Sequence, residues 1–257
     1  MCKAPISLSI RLASCRGLGQ TQHVKTMEAT SGNRTASPPG GRASERREQQ
    51  RSVERRIAIL DASLAEFAEH GFDAASTRNI ARRAGIHNTL LTYHFRTKEA
   101  LWRATAEHFF LEISEKLATT SAADPSLSPI EKLREEFRSF FNFVVENPSF
   151  HQFMIREGQP GNPRLPWLTQ TFVVPIMSRT FPLIEAAQVS GDLPLARPIL
   201  MHYFLVSILT VLSAHSAEIQ YHSGIAPLSS SMTEDYWAVV DRLVFRRGHN
   251  LPDKQGN

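Results

Sequence analysis

The chain has 257 residues, 42% of them hydrophobic and 21% charged, a balance that fits a soluble globular protein and excludes a chain too polar to bury a core. Its two cysteines, Cys2 and Cys15, form no disulfide framework and fit a reducing cytoplasm, and apolar stretches such as residues 203–212 are too short and too often interrupted to span a membrane. The formal charge of +4 is unevenly placed, with 11 Lys/Arg against 4 Asp/Glu in residues 1–56 and 12 against 15 in residues 111–257, so an anionic partner is expected at the front end.

Residues 1–50 are rich in Gly, Pro, Ser, Thr and Arg and read as a disordered basic extension. Leu12-Ala13-Ser14-Cys15 resembles a lipoprotein cleavage box, but the apolar run before it is short and Arg11 interrupts it, so export is not expected. Met27 offers a second start position, which leaves open whether residues 1–26 are translated. Arg46, Arg47, Arg51, Arg55 and Arg56 then form a basic run suited to solvent or to phosphates.

Ile57, Leu60, Leu64 and Phe67 recur at helical spacing, with Asp61, Glu66 and Glu69 expected on the outer face, and His70-Gly71 ends this first helix. Ser76 is placed to cap a short helix from Thr77 to Ala84, with Ile80, Ala81 and Ala84 facing inward. Gly85 follows, and a second short helix runs from about His87 to Tyr93, anchored by Ile86 and Leu91. A short helix, a glycine turn and another short helix predict a helix-turn-helix, because small residues such as Ala81 and Ala84 permit close crossing. His87, Asn88, Thr89, Thr92, Tyr93 and His94 would form its outward polar face, suited to base edges and phosphates. Thr97 caps a fourth helix whose first residue, Lys98, puts a cation beside free N–H groups.

The run from Thr77-Arg78-Asn79-Ile80-Ala81 through Gly85-Ile86, Leu91, Tyr93-His94-Phe95 and Lys98-Glu99-Ala100-Leu101 resembles the DNA-binding head of the TetR/AcrR family of bacterial regulators. The resemblance implies that Thr77 and Lys98 touch phosphates, that Tyr93 and His94 contact the backbone, and that Phe95 locks the second short helix in place. The expected DNA-facing set is therefore Thr77, Arg78, His87, Asn88, Thr89, Leu90, Thr92, Tyr93, His94 and Lys98. The family more often carries Ser, Gly, Thr and Tyr where this chain has His87, Thr89, Leu90 and Thr92, so the operator cannot be borrowed from relatives. Leu90 offers a surface that could meet a thymine methyl.

Beyond residue 118 a Ser/Pro/Asp loop is expected at 119–128, then a helix opened by Ser128-Pro129-Ile130-Glu131. Its apolar face is Ile130, Leu133, Phe137, Phe140, Phe141 and Val144, and Asn147-Pro148 breaks it before a shorter helix at residues 150–157. A long helical stretch over 165–189 should be kinked or divided at Pro175 and Pro182. A helix over 195–215 is apolar on most sides, and Ser231-Met232-Thr233-Glu234 reads as a capping box opening a final helix to about Arg247.

The fold class expected is all-α with about nine helices. Residues 51–112 make the head, 113–248 a helical regulatory and dimerisation domain, and 249–257 a disordered tail. In the family the last two long helices pair with those of a second copy. The helices near 195–215 and 233–247 match, through Leu205, Ile208, Leu209, Leu212, Trp237, Val240 and Val244, unless these instead form an intramolecular core. Phe109, Phe141, Met154, Trp167, Phe172 and His202 are the residues expected around a small hydrophobic effector. No metal-ligand spacing, phosphate loop, nucleophile elbow or catalytic pair appears, so neither cofactor nor catalysis is expected. The sequence thus points to a cytoplasmic, ligand-responsive homodimeric repressor whose partner is a double-stranded DNA operator.

Overall fold

The computed structural model describes residues 41–124 and 126–245. The described helices from Glu45 onward belong to one compact unit. The expected extension over residues 1–40, including the Cys15 box and Met27, and the tail at 249–257 lie outside the described residues. Among the described residues every regular element is helical, as the all-α reading requires.

The head comprises α1 (Gly41–Ala74), α2 (Thr77–Arg83), α3 (Asn88–His94) and the start of α4 (Lys98–Ala123). Residues 41–50 are helical rather than disordered, and Arg46, Arg47, Arg51, Arg55 and Arg56 lie exposed along α1. The break at the end of α1 falls at Gly71, whose φ of 73° a side chain would resist. Leu60, Leu64 and Phe67 of α1 are buried as expected and Ile57 is exposed, while the buried face extends to Ile59, Ala62, Ser63 and Glu66. Glu66 is therefore buried, contrary to the outward placement expected for it.

The turn between α2 and α3 follows from Gly85, at φ 65°. Gly85 N donates to Arg82 O at 3.2 Å and Ile86 N to Ala81 O at 3.0 Å, the paired bonds that close a helix through a left-handed glycine. Leu91 anchors α3, and truncating so fully buried a side chain would cost about 2–5 kcal/mol. Thr97 caps α4 as expected, its hydroxyl accepting from Ala100 N at 3.0 Å. Ser76 does not cap α2 with its side chain.

The body continues α4 to Ala123, so the loop is shorter than expected, and then builds α5 (Pro129–Glu146) and α6 (Pro148–Glu157). Glu131 accepts from both the backbone N and the hydroxyl of Ser128, at 2.8 and 2.6 Å, fixing the start of α5. α7 (Leu165–Leu168) passes through a π-helical stretch, Thr169–Val173, into α8 (Val174–Val189). The division thus precedes Pro175, while Pro182 sits inside α8. α9 (Pro198–Ala214), α10 (Ser216–Ser223) and α11 (Ser230–Val240), with π-helical Asp241–Phe245, complete the described chain. α11 starts after Ser229, two residues earlier than the Ser231 box predicts, which leaves Ser231 inside the helix. The short helices α7 and α10 bring the segments above the nine expected.

Two hydrophobic clusters hold the unit together. The first joins Phe67, Ile80 and Leu91 of the head to Phe109, Phe143, Phe150, Phe153 and Leu168 of the body, with Trp102 at its centre and 0% exposed. Trp102 Nε1 donates to the buried Glu157 at 3.2 Å, and Arg164 Nε binds the same carboxylate at 3.0 Å, so no charge is left unpaired there. The second cluster packs Leu133, Phe137 and Phe141 of α5 against Ile184, Leu205, Leu209, Trp237 and Val240. α5 is the central element, in contact with α4, α8 and α9. No single described helix is long and apolar enough to cross a membrane; α9 and α10 reach that composition only as a pair bent by 53°.

Candidate functional site

α3 presents a continuous exposed polar surface made of His87, Asn88, Thr89, Thr92 and Tyr93, with Tyr93 81% exposed. His87 occupies the cap position of α3 but makes no side-chain capping bond. The Thr92 hydroxyl donates to Asn88 O at 2.9 Å, so its proton is committed to its own helix and only its lone pairs face outward. Leu90 and His94 are half-buried, and the His94 ring meets Tyr93 edge-on at 5.6 Å. Arg78 is exposed on α2, and Thr77 is half-buried at its first turn. Phe95 is buried beneath the Arg56 guanidinium, 5.1 Å from the ring centroid, which pins the end of α3 to α1.

Lys98 is engaged rather than free. Its Nζ donates to Asp73 O at 2.9 Å and Ala75 O at 3.2 Å and lies 4.9 Å from the Phe72 ring centroid. The ammonium therefore closes the chain at the end of α1, and one of its three protons remains for an outside acceptor.

The spacing of this surface depends on a residue the sequence reading misplaced. Glu66 Oε1 accepts from Ser76 N at 3.0 Å and from Asn79 Nδ2 at 3.2 Å, while Oε2 lies 3.2 Å from Arg83 Nε. One buried carboxylate thus ties α1 to both ends of α2. Arg83 also pairs with the exposed Glu69, and that hydrogen bond holds the Glu69 carboxyl below the usual carboxylate range. The clue lay in the sequence: Glu66 stands three residues after Ser63 and seven after Ile59, on their face of the helix.

The body holds a cavity of about 520 Å³ between α4, α5, α6, the π-helical stretch, α8 and α9. Of the six expected effector residues, Met154 and His202 line it. Of the other four, Phe109 and Phe141 are buried core, and Trp167 and Phe172 are partly buried against it. Phe109 packs edge-on against Phe143, Phe141 stacks on Tyr236 and Trp237, Trp167 lies against Trp102 beneath Arg103, and Phe172 stacks on Phe110 at 4.6 Å. Residues one position away, Phe110 and Phe140, form the wall instead. Burial pushes the His202 imidazole down to about 4, so it is neutral at pH 7, and burial also lowers His151.

The apolar residues expected on an outer face of α9 and α11 turn inward. Leu205, Leu209, Leu212, Trp237, Val240 and Val244 are buried, with Ile208 packed against them. Leu200, Phe204, Val239 and Leu243 are among the exposed ones, and a cleft of about 310 Å³ is lined by Phe204, Ile208, Val239 and Leu243 with others. Among the described residues no group of three His, Cys, Asp or Glu side chains is placed to hold a metal.

Residues 59–105 match the model of the family described as bacterial regulatory proteins, tetR family. The chain is similar to the HTH-type transcriptional regulator BetI of Serratia proteamaculans (strain 568), 32% identical over 80 residues, or 31% of this chain and 40% of that one. It is also 32% identical over 108 residues to the HTH-type transcriptional regulator RutR of Escherichia coli (strain K12), covering 42% of this chain and 50% of RutR. The chain thus spans half or less of the length of these curated relatives. The fold is similar to the ketosteroid transcriptional regulator KstR2 of Mycobacterium tuberculosis, with a TM-score of 0.57 at 19% identity over 74% of this chain and 95% of that one. A TetR-like transcriptional regulator from Rhodococcus sp. RHA1 gives 0.53 at 21% identity, over 75% and 94%.

Proposed function

We propose that this chain, whose residues 59–105 match the tetR family of bacterial regulatory proteins, is a cytoplasmic, ligand-responsive transcriptional repressor that binds a near-palindromic operator as a homodimer. The observation that carries this reading is the exposed polar face of α3, held at a fixed angle to α2 by the Gly85 turn and by Glu66. Asn88, Thr89 and Leu90 read bases, with His87 at the edge of the groove. Thr77, Arg78, Thr92, Tyr93, His94 and Lys98 position the head on phosphates and sugar. Residues 51–112 serve DNA binding and 113–248 regulation and dimerisation.

The exposed Leu200, Phe204, Val239 and Leu243 support pairing with a second copy, because residues of α9 and of the chain from α11 onward border one open apolar cleft. Two heads would then enter successive major grooves roughly 34–36 Å apart. The cavity supplies room for an effector that favours a head spacing unsuited to the operator.

Selection of bound duplexes from a random DNA pool tests the reading. Recovery of an inverted repeat whose bases change with Asn88→Ala or Thr89→Ala is the expected result. A pool that stays random after repeated rounds would sink it.

A further inference from the structure

The cavity differs from an ordinary apolar pocket in what its polar groups can do. Among the described residues its wall holds no Lys or Arg. The buried Glu136 carboxylate faces Arg179, whose Nε lies 3.4 Å from Oε1 and which is not part of the wall. An anionic guest would therefore lose its hydration and gain no cation in return. A cationic guest would find that carboxylate already neutralised.

Two hydroxyls of the wall, those of Thr210 and Thr180, lie within reach of carbonyls of their own helices. Thr210 Oγ1 donates to Val206 O and Ser207 O, each at 3.1 Å, and Thr180 Oγ1 reaches Ile176 O at 3.3 Å and Met177 O at 3.4 Å. Each hydroxyl has one proton, so toward other partners both act as acceptors. Thr180 Oγ1 also lies 3.4 Å from His202 Nδ1. Where the threonine proton stays on its own helix, Nδ1 carries the ring hydrogen of the neutral imidazole and Nε2 is left as an acceptor. The wall thus offers acceptors at Thr180, Thr210 and His202 and holds no Lys or Arg, while Thr169, Tyr203 and His151 also border it.

We propose that the cavity takes an uncharged, largely apolar molecule bearing a hydroxyl, an alcohol or a phenol, which donates its hydrogen bond to His202 Nε2. This rests on the ligand-responsive reading and names the chemistry of that ligand. The neutral state of His202 at pH 7, imposed by burial, is the one such a guest needs.

The test uses the full chain without DNA at pH 7, titrated with n-decanol, para-nonylphenol, n-decane, decanoate and decylammonium, and followed by thermal unfolding and tryptophan fluorescence. At least one of the alcohol and the phenol should raise the melting temperature and bind more tightly than the alkane and both ions. His202→Phe should weaken that binding about tenfold and leave the alkane unchanged. Equal or tighter binding of decanoate or decylammonium overturns the proposal, as does binding of neither hydroxyl compound to the wild type. Unchanged affinity in a folded His202→Phe protein would do the same, and the comparison among wild-type probes decides if that variant fails to fold. Operator selection is scored separately, so a protein that selects DNA but ignores both hydroxyl compounds refutes the ligand chemistry alone.

Discussion

Arg156 Nε, on α6, donates to the carbonyl oxygen of Ala68 on α1 at 2.5 Å, and its Nη2 reaches Glu69 O at 2.6 Å. Its neighbours Met154 and Ile155 line the cavity. One helix therefore touches both the proposed effector and the last turn of α1 before Gly71. Arg156→Ala should lower stability by about 1–2 kcal/mol, since two carbonyls lose a charged donor. Urea unfolding measures that loss, and operator affinity in the variant should respond less to an effector than in the wild type.

Glu66→Ala is expected to cost about 3 kcal/mol, because it leaves Asn79 and Arg83 without their buried acceptor. Operator binding should fall further than the folded fraction explains, since α2 loses its tie to α1. Wild-type affinity in the folded fraction would show that the network serves stability only.

Lys98→Met should act twice. Removing the ammonium takes a donor from Asp73 O and Ala75 O, with a loss of about 1 kcal/mol. The log–log salt dependence of DNA affinity should also become shallower by about 1. An unchanged slope would assign the residue to closing the α1 end alone.

His202 gives the fold a pH dependence. Its folded value of about 4 lies below the unfolded value near 6.5, so between these limits the unfolded chain binds more protons. The contribution is complete above about pH 6.5 and is lost as pH falls toward 4, by about 3 kcal/mol at most. The half-buried His151 acts in the same direction. Urea midpoints measured across this range should fall more steeply for the wild type than for His202→Phe.

Phe204→Glu and Leu243→Arg should each produce monomers, detectable by sedimentation, with little change in monomer stability because both side chains are exposed. Leu205→Glu serves as the contrast: that residue is fully buried, so the same charge should unfold the body.

The helix-turn-helix was legible in the sequence because its determinants are local. Gly85 sets the turn, Ala81 permits the crossing, and Ile80 and Leu91 are separated by a fixed short path. On α1, Leu60, Leu64 and Phe67 are buried as their helical spacing predicts, but the buried face is wider than that stripe and takes in Ile59, Ala62, Ser63 and Glu66, while Ile57 stays exposed. The cavity wall was harder to find. Phe109 and Phe110, or Phe140 and Phe141, are chemically identical neighbours whose side chains point about 100° apart, and only the packing of α5 against α4 and α8 decides which borders empty space. The same holds for α9 and α11, where Leu205 and Phe204 exchange the roles a uniformly apolar helix cannot assign.

The two hydrophobic clusters divide the tryptophans between them, with Trp102 and Trp167 in or against the first and Trp237 in the second. Trp102 and Trp167 lie 5.5 Å apart at their ring centroids, close enough for their emission to be coupled. The chain has three tryptophans in all, so it carries an optical label for each cluster without modification. A Trp237→Phe protein glows only from the cluster shared by head and cavity, and a Trp102→Phe, Trp167→Phe protein only from the cluster behind the proposed dimer face. Comparing their melting curves separates loss of the DNA-facing half from loss of the paired half in a single chain.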